Sequence, residues 1–200
     1  PDGTKMYMLG FTNRRVYQYT LSTAWDVSSA TYASIAFFVT TQTTAPRSLT
    51  FKPDGTKMYV GSSVAPASVF QYTLSTAWDV STATYDSVSF NVSSQGTAFF
   101  GLIFKPDGTK MYMLDNNSDA VYQYTLSTAW GLSTANYDSV SFSVAARETT
   151  PRGLQFKTDG TKMYVLGQTA DTVFQYSVGS IVSATTTYPS NFKFPSGTIP

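Results

Sequence analysis

Four copies of the string Asp-Gly-Thr-Lys-Met-Tyr, beginning at Asp2, Asp54, Asp107 and Asp159, divide the 200 residues into near-equal lengths. The steps between them are 52, 53 and 52 residues. A six-residue string does not recur at one period by chance. The chain must therefore fold as a row of similar units, each burying its apolar faces against its neighbours. Other blocks keep the same order in every unit. Val16-Tyr17-Gln18-Tyr19 has counterparts at Val69-Phe70-Gln71-Tyr72, Val121-Tyr122-Gln123-Tyr124 and Val173-Phe174-Gln175-Tyr176. Leu-Ser-Thr-Ala-Trp follows in three units, ending at Trp25, Trp78 and Trp130, and degrades to Val178-Gly179-Ser180-Ile181 in the fourth.

Each unit reads as four short strands, A to D, rich in Val, Tyr, Phe, Met and Thr and bounded by turn residues. In the second unit they span residues 48–52, 57–62, 68–74 and 84–92. Pro53-Asp54-Gly55-Thr56 joins A to B: proline presets φ, and glycine takes the left-handed position of a tight hairpin. Lys5-Met6-Tyr7-Met8-Leu9 is apolar on both faces, as suits a sheet packed on both sides, and no segment carries a helical period. Antiparallel four-stranded sheets at this spacing are the blades of an all-β propeller. The boundaries read as 1–46 for blade 1, with strands B to D only, then 47–98, 99–150 and 151–200, with residues 188–194 standing where strand D belongs in the last unit. A ring lacking one innermost strand would leave backbone groups unpaired beside the channel. The expectation is therefore a segment of a larger propeller, prone to self-association through an open sheet edge; the alternative is a closed four-bladed ring.

Composition narrows the chemistry. The chain has no Cys and no His, which excludes thiol catalysis and cysteine-ligated metal and removes the commonest general base. Only 12% of residues are charged and the net charge is +1, so no electrostatic footprint points to nucleic acid or an anionic membrane. No apolar run approaches the ~20 residues of a membrane span. The sole glutamate, Glu148, has no paired carboxylate in its own loop, and no Ser/His/Asp set, P-loop or dinucleotide fingerprint occurs. No cofactor is expected, with calcium as the one exception. Asp115-Asn116-Asn117-Ser118-Asp119 copies the first half of a calcium-loop pattern, making Asp115, Asn117 and Asp119 candidate ligands. Ala120 stands where that pattern needs glycine, and Leu126 where it needs the closing glutamate.

In a four-stranded meander the A–B and C–D turns share one face, and the B–C and D–A loops share the other. The A–B turns are nearly invariant, whereas the B–C loops (10–15, 61–67, 115–120, 167–172) and the D–A loops (40–47, 93–100, 145–152) all differ. All five arginines, Arg14, Arg15, Arg47, Arg147 and Arg152, fall in these variable loops, while seven of the eight lysines flank the A–B turns. Arginine offers a planar fork for carboxylate, phosphate or hydroxyl groups and stacks on aromatics; lysine reads here as a mobile, solubilising charge. Arg47, Phe100 and Arg152 hold equivalent positions at the start of strand A, where a propeller opens its channel. With Arg14, Arg15 and Arg147 they form the candidate ligand-binding set. The Asp of each turn is expected to bond backbone amides, and the strand-C glutamines to bond between blades.

The segment Phe51-Lys52-Pro53-Asp54-Gly55-Thr56-Lys57-Met58-Tyr59-Val60 resembles the A–B hairpin of YVTN-type bacterial β-propellers, and the hairpin recurs in every unit. The longer pattern through Tyr-Gln-Tyr-Thr-Leu-Ser-Thr-Ala-Trp is similar to repeats in uncharacterised bacterial surface proteins and phage structural proteins. Residues 188–198 resemble the segment that follows the last such repeat in phage tail-associated proteins. The resemblance implies a propeller in an extracellular, cell-surface or virion setting. Propeller lactonases and lyase-like enzymes share the architecture, but the lyase-like ones use His, so no catalytic residue carries over. The leading expectation is a non-catalytic binding module, not an enzyme, that recognises a carbohydrate or protein surface through its variable loops. A structural unit of a surface layer, filament or tail comes second. A propeller lactonase or lyase-like enzyme with carboxylates around the channel comes third.

Overall fold

Strands that are apolar on both faces need two partners each, and the fold supplies them by stacking sheets. The computed structural model describes residues 2–179. Their strands run β1 (Lys5–Gly10), β2 (Arg15–Leu21), β3 (Ala30–Phe38), β4 (Pro46–Phe51), β5 (Lys57–Ser62), β6 (Ser68–Leu74), β7 (Ala83–Asn91), β8 (Phe99–Phe104), β9 (Lys110–Asp115), β10 (Ala120–Leu126), β11 (Ala135–Ser143), β12 (Pro151–Phe156), β13 (Lys162–Gly167) and β14 (Thr172–Ser177). They form four antiparallel meanders: β1–β3, β4–β7, β8–β11 and β12–β14. This is the all-β blade architecture expected, and no α-helix occurs among the described residues. No helix there is long and apolar enough to cross a membrane. The strand expected at 188–194 lies outside the described residues.

Packing between blades follows one rule three times. The forward face of blade 1 (Tyr7, Leu9, Val16, Val39) meets the rear face of blade 2 (Met58, Val60, Tyr72, Leu74, Val80). Blades 2 and 3 meet through Tyr59, Val69 and Val92 against Met111, Met113, Tyr124 and Leu132. Blades 3 and 4 meet through Leu114, Val121 and Val144 against Met163, Val165 and Tyr176. Burying one such side chain contributes about 1.5–3 kcal/mol, so the core lies between blades and not within them. Each strand-B tyrosine also stacks on the next blade's strand-A phenylalanine: Tyr7 on Phe51, Tyr59 on Phe104 and Tyr112 on Phe156, all with ring centroids 4.5 Å apart.

Among the hydrogen bonds that cross the first two interfaces, one pair at each reaches the segment between strands C and D. The Tyr7 hydroxyl donates to the Trp78 carbonyl, and Tyr59 Oη donates to the Trp130 carbonyl at 2.6 Å. The buried amides of Val80 and Leu132 donate to Gln18 Oε1 and Gln71 Oε1, each at 3.0 Å. The strand-C glutamines therefore do bond between blades. The amides that donate to them open one-turn 3₁₀ segments between strands C and D (Val80–Thr82 and Leu132–Thr134, with Val27–Ser29 the equivalent in blade 1), which the sequence reading did not foresee.

The A–B turns are built as expected. Asp54 Oδ1 accepts from the Thr56 amide at 3.0 Å and its hydroxyl at 2.7 Å. Gly55, at φ +74°, lies under the indole of Trp78, so close that a Cβ would come within 2.4 Å of the ring. The tryptophans thus cap their own blade's hairpin. Five of the lysines are less free than the sequence suggested: Lys52, Lys105 and Lys157 pair with the turn aspartates Asp54, Asp107 and Asp159, and two others are held by aspartates of strand D. Lys57 and Lys110 reach Asp86 and Asp138 at 3.1 and 2.8 Å. Gln71 and Gln123 donate to the same carboxylates at 2.7 Å. These aspartates fall in irregularities of strand D, opposite Gln71/Tyr72 and Gln123/Tyr124, where the neighbouring Ser87 and Ser139 take φ +58°. Bulges of this kind re-aim side chains, which turns a surface lysine into one corner of a polar strut.

Replacing Gln71 with Leu leaves the buried Leu132 amide without its acceptor. Urea unfolding should then show a loss of about 1–3 kcal/mol. A change inside the ±0.5 kcal/mol or so of an ordinary surface substitution would mean that this bond does not hold the blades.

Candidate functional site

The mouth of the channel is set by three bulges. Strand A pairs with strand B as Pro46↔Ser62 then Ser48↔Gly61, as Phe99↔Asp115 then Gly101↔Leu114, and as Pro151↔Gly167 then Gly153↔Leu166. The skipped residue is Arg47, Phe100 or Arg152 in turn. Leaving the ladder, each side chain is free to point across the mouth instead of alternating within the strand. The Arg47 guanidinium lies 4.1 Å from the Phe11 ring centroid and 4.9 Å from that of Phe100, and the Arg152 guanidinium lies 4.1 Å from Phe100. One residue from each blade thus builds an alternating row, Phe11–Arg47–Phe100–Arg152. Arg47 Nε donates to Ser63 Oγ at 3.2 Å and Arg152 Nε to Gln168 Oε1 at 2.5 Å, which orients both forks. Partial burial, and then the charge of Arg152, lower the pKa of Arg47. Two cations sharing one aromatic ring favour an anionic or strongly dipolar ligand between them.

The sequence placed Arg47, Phe100 and Arg152 together, and the structure brings them together. It does not bring in the other candidates. Arg15 stacks on Phe38 at 3.9 Å, on strands C and D of blade 1, beside Arg14. Arg147 lies near enough to Tyr176 to influence its ionisation. Phe11 was missed although it lies in the same B–C loop as Arg14 and Arg15, because the variable loops were searched for arginine and only the starts of strand A were aligned position by position. The available signal was the variation at that repeat position, Phe11, Ser63, Asn116 and Gln168; two of the last three hold the arginines.

Beneath the row, the D–A loop of each interface is tied to the end of strand B by a polar pair. Thr43 and Ser62 share a hydroxyl–hydroxyl bond at 2.5 Å. At the next interface the equivalent residues are Gly96 and Asp115, and at the last they are Glu148 and Gly167. Asp115 Oδ1 accepts from the Ala98 amide at 2.7 Å, and its Oδ2 accepts from Asn117 N, Ser118 N and Ser118 Oγ at 3.1, 2.8 and 2.8 Å. Glu148 Oε1 accepts from Thr150 N, Thr150 Oγ1 and Thr169 N at 2.7, 2.8 and 3.2 Å, and Oε2 from Ala170 N at 3.0 Å. A Cβ on Gly167 would lie 1.9 Å from Glu148 Oε2, and one on Gly96 2.3 Å from Asp115 Cγ. Each carboxylate therefore needs a glycine opposite it.

These bonds bear on the candidate calcium set. Both carboxylate oxygens of Asp115 already face amide and hydroxyl donors, and Asn117 Nδ2 donates to Thr97 Oγ1 at 3.1 Å. A cation would have to displace them. Burial, and then Asp115 and Glu148, raise the pKa of Asp119. Among the described residues no three His, Cys, Asp or Glu side chains group as metal ligands.

Four blade-like sheets around a mouth lined from strand A define a β-propeller segment. The sequence matches, over residues 1–198, the family described as lactonase, seven-bladed β-propeller. The chain belongs to that family. No curated protein sequence matches it. Among solved structures it resembles a functionally unknown protein from Desulfotomaculum acetoxidans (TM-score 0.59, 11% identity, 91% of this chain and 51% of that one). It also resembles a 6-phosphogluconolactonase candidate from Bacteroides uniformis (0.61, 11%, 92% and 53%). A third is the periplasmic gluconolactonase of Pseudomonas aeruginosa (0.56, 16%, 88% and 47%). The chain thus spans about half the length of the structures it matches.

Family membership corrects the expectation of a non-catalytic binding module that is not an enzyme. The lack of His and of a paired glutamate weighed too heavily in that reading. Opening a lactone needs a polarised carbonyl and a water molecule, and arginine and aspartate can serve both without imidazole.

Glu148 carries a pH dependence of its own. Burial pushes its carboxyl up, but the donors from Ala170, Thr150 and Thr169 outweigh this and hold it at about 2, below the ordinary 4.5. A depressed folded-state pKa gives stability that is present above the unfolded value and lost as pH falls toward the folded one. Glu148→Gln should therefore flatten the fall in melting temperature between about pH 4.5 and 2. An unchanged acid limb would show that Glu148 is not held as described.

Proposed function

We propose that the chain supplies part of a propeller that hydrolyses sugar lactones, with the row Phe11–Arg47–Phe100–Arg152 as its substrate-binding edge. The observation that carries this reading is the pair of oriented guanidiniums sharing Phe100, in a chain of the lactonase family. Phe11 and Phe100 offer apolar surface to the C–H face of a sugar ring. A guanidinium hydrogen-bonds the lactone carbonyl and holds the oxyanion that forms when water adds to it. The oxygen of water bonds to the carbonyl carbon, the ring C–O bond breaks, and the ring oxygen leaves as a hydroxyl with one proton. The other product group is a carboxylic acid, which ionises and releases its proton to solvent. Asp171 borders the same groove as Arg152 and Gln168 and is the carboxylate in place to take the proton of the attacking water.

Substrate class follows from the chemistry of the row: a polyhydroxylated lactone, anionic or yielding an anion, of which glucono-1,5-lactone is the simplest probe. An extracytoplasmic setting is part of the proposal and draws on the resemblance of the Phe51–Val60 hairpin to YVTN-type repeats.

Proton release from glucono-1,5-lactone, followed by pH-stat against the spontaneous rate, tests this reading. Arg47→Ala and Arg152→Ala should each lower kcat/KM about tenfold or more, on the order of 1.4 kcal/mol. Lys105→Ala, on the opposite face, should leave it unchanged. Hydrolysis no faster than in buffer, or arginine variants equal to the parent chain, would defeat the proposal.

A further inference from the structure

Of the B–C loop residues at the mouth, Phe11, Ser63 and Gln168 each have a use: Phe11 stacks on Arg47, Ser63 accepts from Arg47, and Gln168 accepts from Arg152. In blades 2 and 4 the donor is thus the blade's own bulged strand-A residue. Blade 3 carries Phe100 at that bulge, and a phenyl ring has no proton to give. Asn116, the residue that would receive it, keeps a buried Oδ1 with no hydrogen-bond partner among the described residues. Three residues along the same loop, Asp119 Oδ1 is in the same state. Buried oxygens are ordinarily paired, and two orphaned acceptors in one short loop call for two donors from outside the chain. The backbone beneath them is already fixed. The Asn116 amide donates to the Ala98 carbonyl at 2.9 Å, and the Val144 amide to the Asp119 carbonyl at 2.7 Å. Asp119, at φ +48°, repeats Asp171 at φ +47°, so Asn116 and Asp119 stand to Phe100 as Gln168 and Asp171 stand to Arg152. Burial, and then the charges of Asp115 and Glu148, raise the pKa of Asp119; those charges repel an anion here and favour a neutral O–H donor.

We propose that Asn116 and Asp119 form a diol-recognition subsite for the sugar that lies on Phe100, two neighbouring hydroxyls donating to the two free oxygens. The lactonase reading enters only in the direction of the substrate: with the carbonyl held at Arg152, the hydroxyls concerned are those on the two carbons that follow it. Both residues are partly exposed, so a side-chain rotation turns each oxygen to the ligand, and no existing bond to that oxygen is broken. An acceptor that waits for a donor discriminates strongly, because a substrate without the hydroxyl leaves it unpaired. The subsite therefore selects polyhydroxylated lactones against deoxy and alkyl lactones of the same ring size.

Calorimetric titration with glucono-1,5-lactam tests this, since the lactam keeps the hydroxyls and resists hydrolysis. Asn116→Leu and Asp119→Gly should each weaken binding about tenfold; glycine suits the left-handed φ at position 119. A lactam lacking both hydroxyls should bind the parent chain and the variants alike. The melting temperature of Asn116→Leu should be unchanged or higher, because Oδ1 has no hydrogen bond to lose. The proposal is overturned by a parent chain that does not bind the lactam, by variants that bind as well as the parent, or by a loss that persists with the deoxy lactam. A lower melting temperature for Asn116→Leu also overturns it. So does calcium binding that Asn116→Leu abolishes, which would make the two oxygens cation ligands. The expected binding pattern without turnover of glucono-1,5-lactone would defeat the lactonase reading and leave the subsite standing. Turnover with full binding in both variants would do the reverse.

Discussion

In the second and third blades the first backbone amide of the C–D 3₁₀ turn, that of Val80 or Leu132, is buried between two blades with no strand partner. Left unpaired, such a group costs about 1–3 kcal/mol. The structure meets the requirement with a glutamine from the preceding blade, Gln18 for Val80 and Gln71 for Leu132. The rest follows from that bond. The glutamine must sit in mid-strand C with its amide end held, so Asp86 or Asp138 accepts from Nε2, and a lysine then balances the aspartate. The bulge in strand D exists to bring the aspartate there. The turn that carries the buried amide is fixed in place by the tryptophan whose ring covers the Asp-Gly hairpin, so the A–B and C–D ends of a blade are set together.

Much of this could be read from the repeat. The period gave the blade, the turn residues gave the hairpin, and the apolar faces of Lys5–Gly10 gave the double-sided sheet. What stayed hidden were features in which one or two residues leave the ladder. A bulge has no composition of its own: Asp86 and Ser87 look like a polar interruption, and Arg47 looks like the first residue of a strand. The same blindness governed the site. Arg47, Phe100 and Arg152 could be aligned because they share a repeat position, whereas Phe11 joins them from another loop through space alone. The functional class was misjudged for a chemical reason, since absent imidazole and thiol exclude particular mechanisms and leave carbonyl polarisation by guanidinium untouched.

The site and the scaffold divide the repeat between them. The positions that cross interfaces, Tyr7, Gln18 and their equivalents, are the same or nearly the same in every unit. The mouth positions change from Arg to Phe to Arg while the bulge that presents them is kept. A propeller can thus alter the chemistry of its channel by changing one residue per blade, with no consequence for the bonds that hold the blades in register.

The polar pairs under the mouth have a consequence for how such repeats can be duplicated or recombined. Thr43 and Ser62 are 19 residues apart, and Gly96/Asp115 and Glu148/Gly167 keep that separation. A crossover between units that falls inside this window would join halves of different pairs. Glu148 above Asp115 would force two carboxylates into a space shaped for one; Gly96 above Gly167 would leave loop amides facing a void. Exchange is tolerated only when the cut falls outside the window, so the inherited module is not the blade. It is a loop together with the strand end it is fastened to, and this module straddles the blade boundary.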